Sequence, residues 1–228
     1  PRDKTTIYDS GIRTPFIVRW PAKVKAGSST RSLVSAIDLA PTFLTMAEVK
    51  PGETFQGQSF LPVLEDPKAK IREVVFAEQN WHDYEAHARA ARSSEFKYIR
   101  NGYPDLMLTP SADGVRSPTF QAMIELHEKG ELSKAQSVYF VNPRPKEELY
   151  HSAVDPHETK NLIDDPAHRE VLEKLRASLD QWVKETGDKI PELRTADEFD
   201  RTTGLPTEAR VRPRLSKAEM VKKGLTAP

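Results

Sequence analysis

The chain of 228 residues has no cysteine. That removes a disulfide framework, a thiolate zinc site and a cysteine nucleophile from within it. It does not fix a compartment, because many exported proteins also lack disulfides. Neither charge is in excess: 34 Lys and Arg stand against 34 Asp and Glu. A general phosphate-binding surface is therefore excluded, and nucleic acid is a poor default partner. No apolar run reaches the length of a membrane span. No P-loop, Gly-rich dinucleotide loop, HExxH or GxSxG occurs. Glycine is sparse, at 10, and the 18 prolines are scattered, so they punctuate turns without making a low-complexity tract. The first residue is Pro1 with no signal-peptide pattern, and the expectation is a chain that starts mid-sequence or after processing.

What is present is enough for a buried core. Pro15 to Pro21, with Phe16, Ile17, Val18 and Trp20, reads as a short buried strand. Asp38 caps a helix running through Ala47, with Ile37, Phe43, Leu44 and Ala47 as its inner face. A short apolar turn follows at Phe60 to Leu64. Val74 to Glu78 predicts a strand, and Ala88–Arg92 with Phe96–Arg100 predicts a hairpin that places Phe96 and Tyr98 on one face. Ser117-Pro118 starts a helix closed by Gly130, and a second short helix is expected over 133–137. Glu147 to Tyr150 reads as a strand. The clearest element is the helix capped by Asp165, with Leu172, Leu175, Leu179 and Trp182 on one stripe, Val183 beside it and Gly187 at its end. Beyond Pro191 the composition predicts an extended polar tail with at most a short helix near Lys217–Lys223.

Three clusters could carry chemistry. Lys4, beside Thr5 and Thr6, is either a solvated lysine, as most are, or a ligand for an anionic group at a strand-side loop. Trp81-His82-Asp83 with His87 follows a strand end. An imidazole and a carboxylate there can bind a polyhydroxyl or charged ligand, and the indole can stack on a sugar face. An ordinary loop packing its aromatic residue is the competing reading. A metal site is disfavoured because no third convergent ligand is identifiable. Asp155-Pro156-His157-Glu158 with Asn161 reads as turn structure.

Lys4-Thr5-Thr6-Ile7-Tyr8-Asp9-Ser10-Gly11-Ile12-Arg13-Thr14-Pro15-Phe16-Ile17-Val18-Arg19-Trp20-Pro21 resembles the K-x-T-x-Y-x-x-G-x-R-x-P-x-I-x-x-W-P segment of type I sulfatases. Val34 to Thr42 resembles their V-S-x-x-D-L-x-P-T helix start. Glu148-Leu149-Tyr150, Asp155 to Glu158 and Asn161-Leu162 resemble their E-L-Y…D-P-x-E…N-L block. A narrower resemblance, at Ser117 to Gln121 and Asp155 to Thr159, is to the sulfamidase branch, the N-sulfoglucosamine sulfohydrolases.

The resemblance implies an alkaline-phosphatase-like α/β fold. Residues 1–68 would be the end of the large catalytic domain. Residues 69–190 would be a smaller C-terminal subdomain, a four-stranded antiparallel sheet against one long helix, and 191–228 a tail. It implies hydrolysis of sulfate esters or sulfamates of glycans, with N-sulfated glucosamine favoured. Formylglycine and a calcium ion would do the chemistry, both expected upstream of Pro1. The sulfate would be held by Lys4 and the sugar by His82 and Asp83, with no metal ligand in this chain. The resemblance reverses the reading of Lys4. It also implies export (periplasmic, secreted, or lysosomal in a eukaryote) and allows a homodimer. A phosphodiesterase or phosphonate hydrolase of the same superfamily, and a non-catalytic glycan-binding module, are the alternatives.

Overall fold

A computed structural model describes residues 4–210. At its centre lies one antiparallel sheet in the order β1 (Val75–Trp81), β2 (Glu85–Arg92), β3 (Lys97–Asn101), β4 (Glu147–Tyr150). β2 and β3 are joined by a tight connection in which Ser93 accepts from and donates to Phe96. Their register pairs Ala91 with Tyr98 and Ala90 with Ile99.

Alternation gives the sheet two buried faces. On one face Ala91, Tyr98 and Leu149 meet Leu172, Leu175 and Leu179 of the helix α6 (Arg169–Thr186), with Phe96, Trp182 and Val183 at the edge. Each fully buried leucine contributes about 1.5–3 kcal/mol. Asp165 accepts from the Ala167 N–H before this helix, and Gly187, at φ 67, takes the left-handed position that ends it. The small sheet on one long helix is thus as expected. On the other face Ala88, Ala90, Ile99 and Tyr150 pack against Ile7 and Tyr8 and against α4 (Ala112–Val115) and α5 (Pro118–Glu128). Ser117 caps α5 through the Phe120 N–H.

Three expectations fail. Residues 15–21 form no strand; Phe16 is 53% and Ile17 90% exposed. A lone strand has no ladder for its backbone, and no described segment pairs with this one. The helix after Asp38, α2 (Leu39–Met46), does form, following a turn of 3-10 helix at Ala36–Asp38. Its buried residues are Pro41 and Thr42, however, while Ile37 and Phe43 face solvent. The helix docks through polar bonds: Thr42 Oγ1 donates to Asp38 O at 2.7 Å and accepts from the Phe60 N–H at 2.9 Å. α3 (Leu61–Glu65) follows directly. Finally, the expected helix at 133–137 is a turn leading into a 3-10 helix at Ser137–Phe140.

After Pro191 no helix or named strand occurs among the described residues, yet the segment is docked. Phe199 is buried and bridges to Pro206. The helix expected near Lys217–Lys223 lies outside the described residues.

Candidate functional site

The segment Lys4–Asp9, which includes the start of α1 (Asp9–Ile12), is pinned to the sheet by a buried ionic cluster. Lys97, fully buried, lies 2.5 Å from Asp9 Oδ1 and 2.8 Å from Glu158 Oε1, and donates to Ile7 O at 3.2 Å. Arg92 closes on Asp9 from the neighbouring strand at 2.9 Å. Glu158 Oε2 accepts the Asp9 N–H at 2.7 Å. Burial alone would raise the pKa of Asp9, but the hydrogen bond from Arg92 and the charge of Lys97 outweigh it and hold it at about 2. Tyr8 donates to Glu148 at 2.9 Å.

This anchoring forces an unusual backbone just before it. Thr5 has φ 69, a left-handed conformation that a β-branched residue adopts only when its surroundings impose it, at a cost of about 1–3 kcal/mol. Gln79 of β1 holds it by donating to Thr5 O at 2.6 Å. The Lys4 side chain is left at the surface, 60% exposed, with Nζ 3.0 Å from Asp113 Oδ2 and 3.2 Å from Oδ1. The Ser111 hydroxyl and then Lys4 lower the Asp113 pKa to about 2, so this carboxylate is ionised at neutral pH.

The second wall is the β1–β2 turn. His82 Nδ1 lies 3.1 Å from Asp83 Oδ2, and the same oxygen accepts the Ala112 N–H at 2.7 Å. His82 is half exposed and Asp83 nearly buried. Asp83 therefore orients His82 and ties the turn to α4, while His82 presents the free edge. Lys4 and the His82–Asp83 pair, remote in sequence, converge on one turn, Ser111 to Asp113. Trp81 ends β1 and is partly exposed.

The third component is the segment after 191. Glu198 donates its N–H to Asp83 O at 3.1 Å, and Asp197 accepts the Glu85 N–H at 2.7 Å. Arg201 donates to Glu85 O at 2.7 Å and lies over the Tyr84 ring at 5.1 Å. Thr195 donates its N–H to Glu85. The segment thus clamps the turn that carries His82. The cavity among the walls is narrow, about 30 Å³, room for roughly one or two waters. A larger ligand does not fit inside it.

Sequence reasoning did not find Ser111, Asp113, Gln79 or the Arg201 clamp. Asp113 carries no local signal, and Gln79 is one polar residue of an alternating strand. The block at 155–161 is structural, as read. Asp155 accepts the Thr159 and Lys160 N–H groups at 2.7 and 2.9 Å, and Asn161 accepts that of Leu149 at 2.9 Å. Among the described residues no group of three or more His, Cys, Asp or Glu could hold a metal ion. The calcium implied by the resemblance does not fit the side chains here, and formylglycine has no cysteine precursor in this chain. No step is derived through either.

Residues 2–103 match the family model for N-sulphoglucosamine sulphohydrolase, C-terminal. An ulvan-active sulfatase of Formosa agariphila is 40% identical over 84% of this chain and 32% of its own length. The N-sulphoglucosamine sulphohydrolase of Homo sapiens is 30% identical over 82% of this chain and 40% of its own. The chain spans about a third of the length of the curated relatives it matches. Among solved structures, BT4656 in complex with its substrate D-glucosamine-2-N,6-O-disulfate superposes with a TM-score of 0.54 at 23% identity, over 77% of this chain and 29% of that one. The phosphonate monoester hydrolase SpPMH of Silicibacter pomeroyi gives 0.53 at 18%, over 88% and 35%.

The fold is thereby alkaline-phosphatase-like α/β, here represented by the small antiparallel sheet and its helices. Within that class, the chain belongs to the sulfatase family and corresponds to the C-terminal region of its members.

Proposed function

We propose that this chain supplies the anion-binding and sugar-binding edge of a sulfatase acting on sulfated glycans. The convergence of Lys4 and the His82–Asp83 pair on the turn at Ser111–Asp113 carries this reading. Negative charge builds on the sulfate and the leaving atom as an S–O or S–N bond breaks, and a fixed ammonium at Lys4 stabilises it. Displacement of Asp113 by the sulfate frees that ammonium. His82, oriented by Asp83, donates to or accepts from a sugar hydroxyl. Residues 1–68 complete the large catalytic domain, 69–190 form the subdomain, and the segment from 191 buttresses it. No helix among the described residues is long and apolar enough to cross a membrane; export rests on the resemblance alone. N-sulfated glucosamine is the favoured substrate, and ulvan competes with it because the ulvan-active relative shares more residues.

The test is turnover of N-sulfated glucosamine and of ulvan by the full-length protein. Lys4→Ala should lower kcat/KM by about 10²–10³-fold with its melting temperature unchanged, since the side chain is exposed. Undiminished turnover would remove Lys4 from the reaction. The fold shared with SpPMH supports a second reading, phosphonate ester hydrolysis; turnover of a phosphonate monoester with none of either sugar would select it.

A further inference from the structure

Behind the β2–β3 pair, on the sheet face that carries α6, lies a groove of about 450 Å³ between the ends of β3 and β4 and the end of α6. Such a volume suits a compact organic ligand. Most of its charges are already matched. Arg89 grips Asp188 through two bonds of 2.8 and 2.7 Å, Arg100 meets Asp180 at 2.7 Å, and Glu147 is held by Arg176 at 2.8 Å. Lys146 and Lys189 also line the groove, both exposed, and neither has an ion pair among the described residues.

His87 supplies an independent sign. It is 8% exposed and lines the groove, yet neither ring nitrogen makes a well-formed hydrogen bond; only backbone groups of Lys189 and of His87 itself lie near it. The Asp188 carboxylate is 4.0 Å from Nε2, too far for a hydrogen bond. A buried imidazole without a well-formed hydrogen bond is costly, and a ligand hydroxyl would relieve that cost. The ring fits because its neighbour is Gly102: a Cβ there would lie 2.6 Å from Nδ1. Burial, then Arg89, lowers the His87 pKa against the opposing pull of Asp188. The neutral ring offers one donor and one acceptor, the pair a sugar hydroxyl needs. Pro104, Val183 and Ile190 add an apolar side for C–H groups.

We propose that this groove binds one acidic sugar unit of a polymeric substrate, with Lys146 and Lys189 on its sulfate or carboxylate and His87 on a hydroxyl. The proposal rests on the sulfated-glycan reading above. His87 also lines the narrow cavity beside His82, so the two share a wall.

The test compares a heparan N-sulfated hexasaccharide with N-sulfated glucosamine on the full-length protein, by kinetics and by titration calorimetry. Lys146→Glu/Lys189→Glu should raise KM and Kd for the hexasaccharide about tenfold, leaving kcat and the monosaccharide kinetics unchanged. The exposed pair Lys134→Glu/Lys174→Glu, an equal change of net charge elsewhere, should do neither. The groove is overturned if hexasaccharide affinity is unchanged, if the control pair lowers it equally, if the monosaccharide suffers alike, or if the wild type binds no hexasaccharide. Should the wild type turn over neither sugar, the N-sulfated glucosamine reading fails, and the calorimetric comparison still decides the groove.

Discussion

Phe16 and Ile17 are 53% and 90% exposed, whereas Tyr98 and Ile99, also adjacent apolar residues, are fully buried. The two pairs stand for two regions. Residues 75–210 surround a sheet covered on both faces, so alternation sends every second side chain into one core or the other. Residues 13–70 have no such layer. Their order depends on one carboxylate: Asp38, fully buried, accepts the Ser35 N–H at 2.7 Å and the Gln58 N–H at 2.8 Å, and pairs with Arg72 at 2.5 Å. Ile37, Phe43, Met46, Val49 and Phe55 stay exposed around it. Apolar sequence thus reports burial only where a second surface exists to receive it.

The comparison can be broken where the regions meet. Lys97→Ala removes the ammonium shared by buried Asp9 and Glu158, leaving Arg92 as the cation on Asp9, and should cost about 3–5 kcal/mol in denaturant unfolding; a loss under about 1 kcal/mol would show that packing alone holds the N-terminal segment. Asp38→Ala should cost about 2–3 kcal/mol. Hydrogen exchange should then rise across 35–60 while β2 and β3 keep their protection, and equal loosening of both would erase the distinction.

Acid sharpens the same boundary. The Asp9 pKa falls from 3.8 to about 2 on folding. Its contribution is therefore complete above about pH 4 and disappears as pH drops through about 2. It amounts to about 2 kcal/mol. Urea unfolding across that window should show Asp9→Asn to be less stable than wild type at pH 6, with the gap closing toward pH 2. A gap independent of pH would mean that Arg92 and Lys97 do not lower the carboxyl. The smallest effect belongs to Phe43→Ser, which should change stability by less than about 0.5 kcal/mol because the ring is 62% exposed. A loss above about 1 kcal/mol would mean that this face is covered.

Much of the sheet region was legible because its signals are local. Ser117-Pro118, Asp165-Pro166 and Gly187 mark helix ends by backbone chemistry that needs no distant partner. The Leu172–Leu175–Leu179 stripe has helical spacing, and the β2–β3 hairpin alternates. The site was half legible. Lys4, His82 and Asp83 could be nominated from residue type and resemblance. Asp113, Gln79 and the clamp of Arg201 on Glu85 could not, since each acts across a long stretch of chain. The segment after 191 looked like a tail because its apolar content is low; Phe199 and a few ionic contacts suffice to dock it.

From the sequence alone came the absence of a thiol nucleophile, the order of the four strands with α5 and α6, and the three blocks that resemble those of sulfatases. The first depends on composition, the second on periodicity and short-range backbone rules, and the third on the family resemblance. Tertiary structure alone decided that residues 15–21 find no strand partner, that α2 docks by Thr42 and Asp38 with its phenylalanine outside, and that Lys4 meets Asp113 beside His82. The reason is physical. A helix end or an alternating strand is set by neighbours within a few residues, whereas burial, ion pairing and the shape of a groove depend on which surfaces the chain brings together.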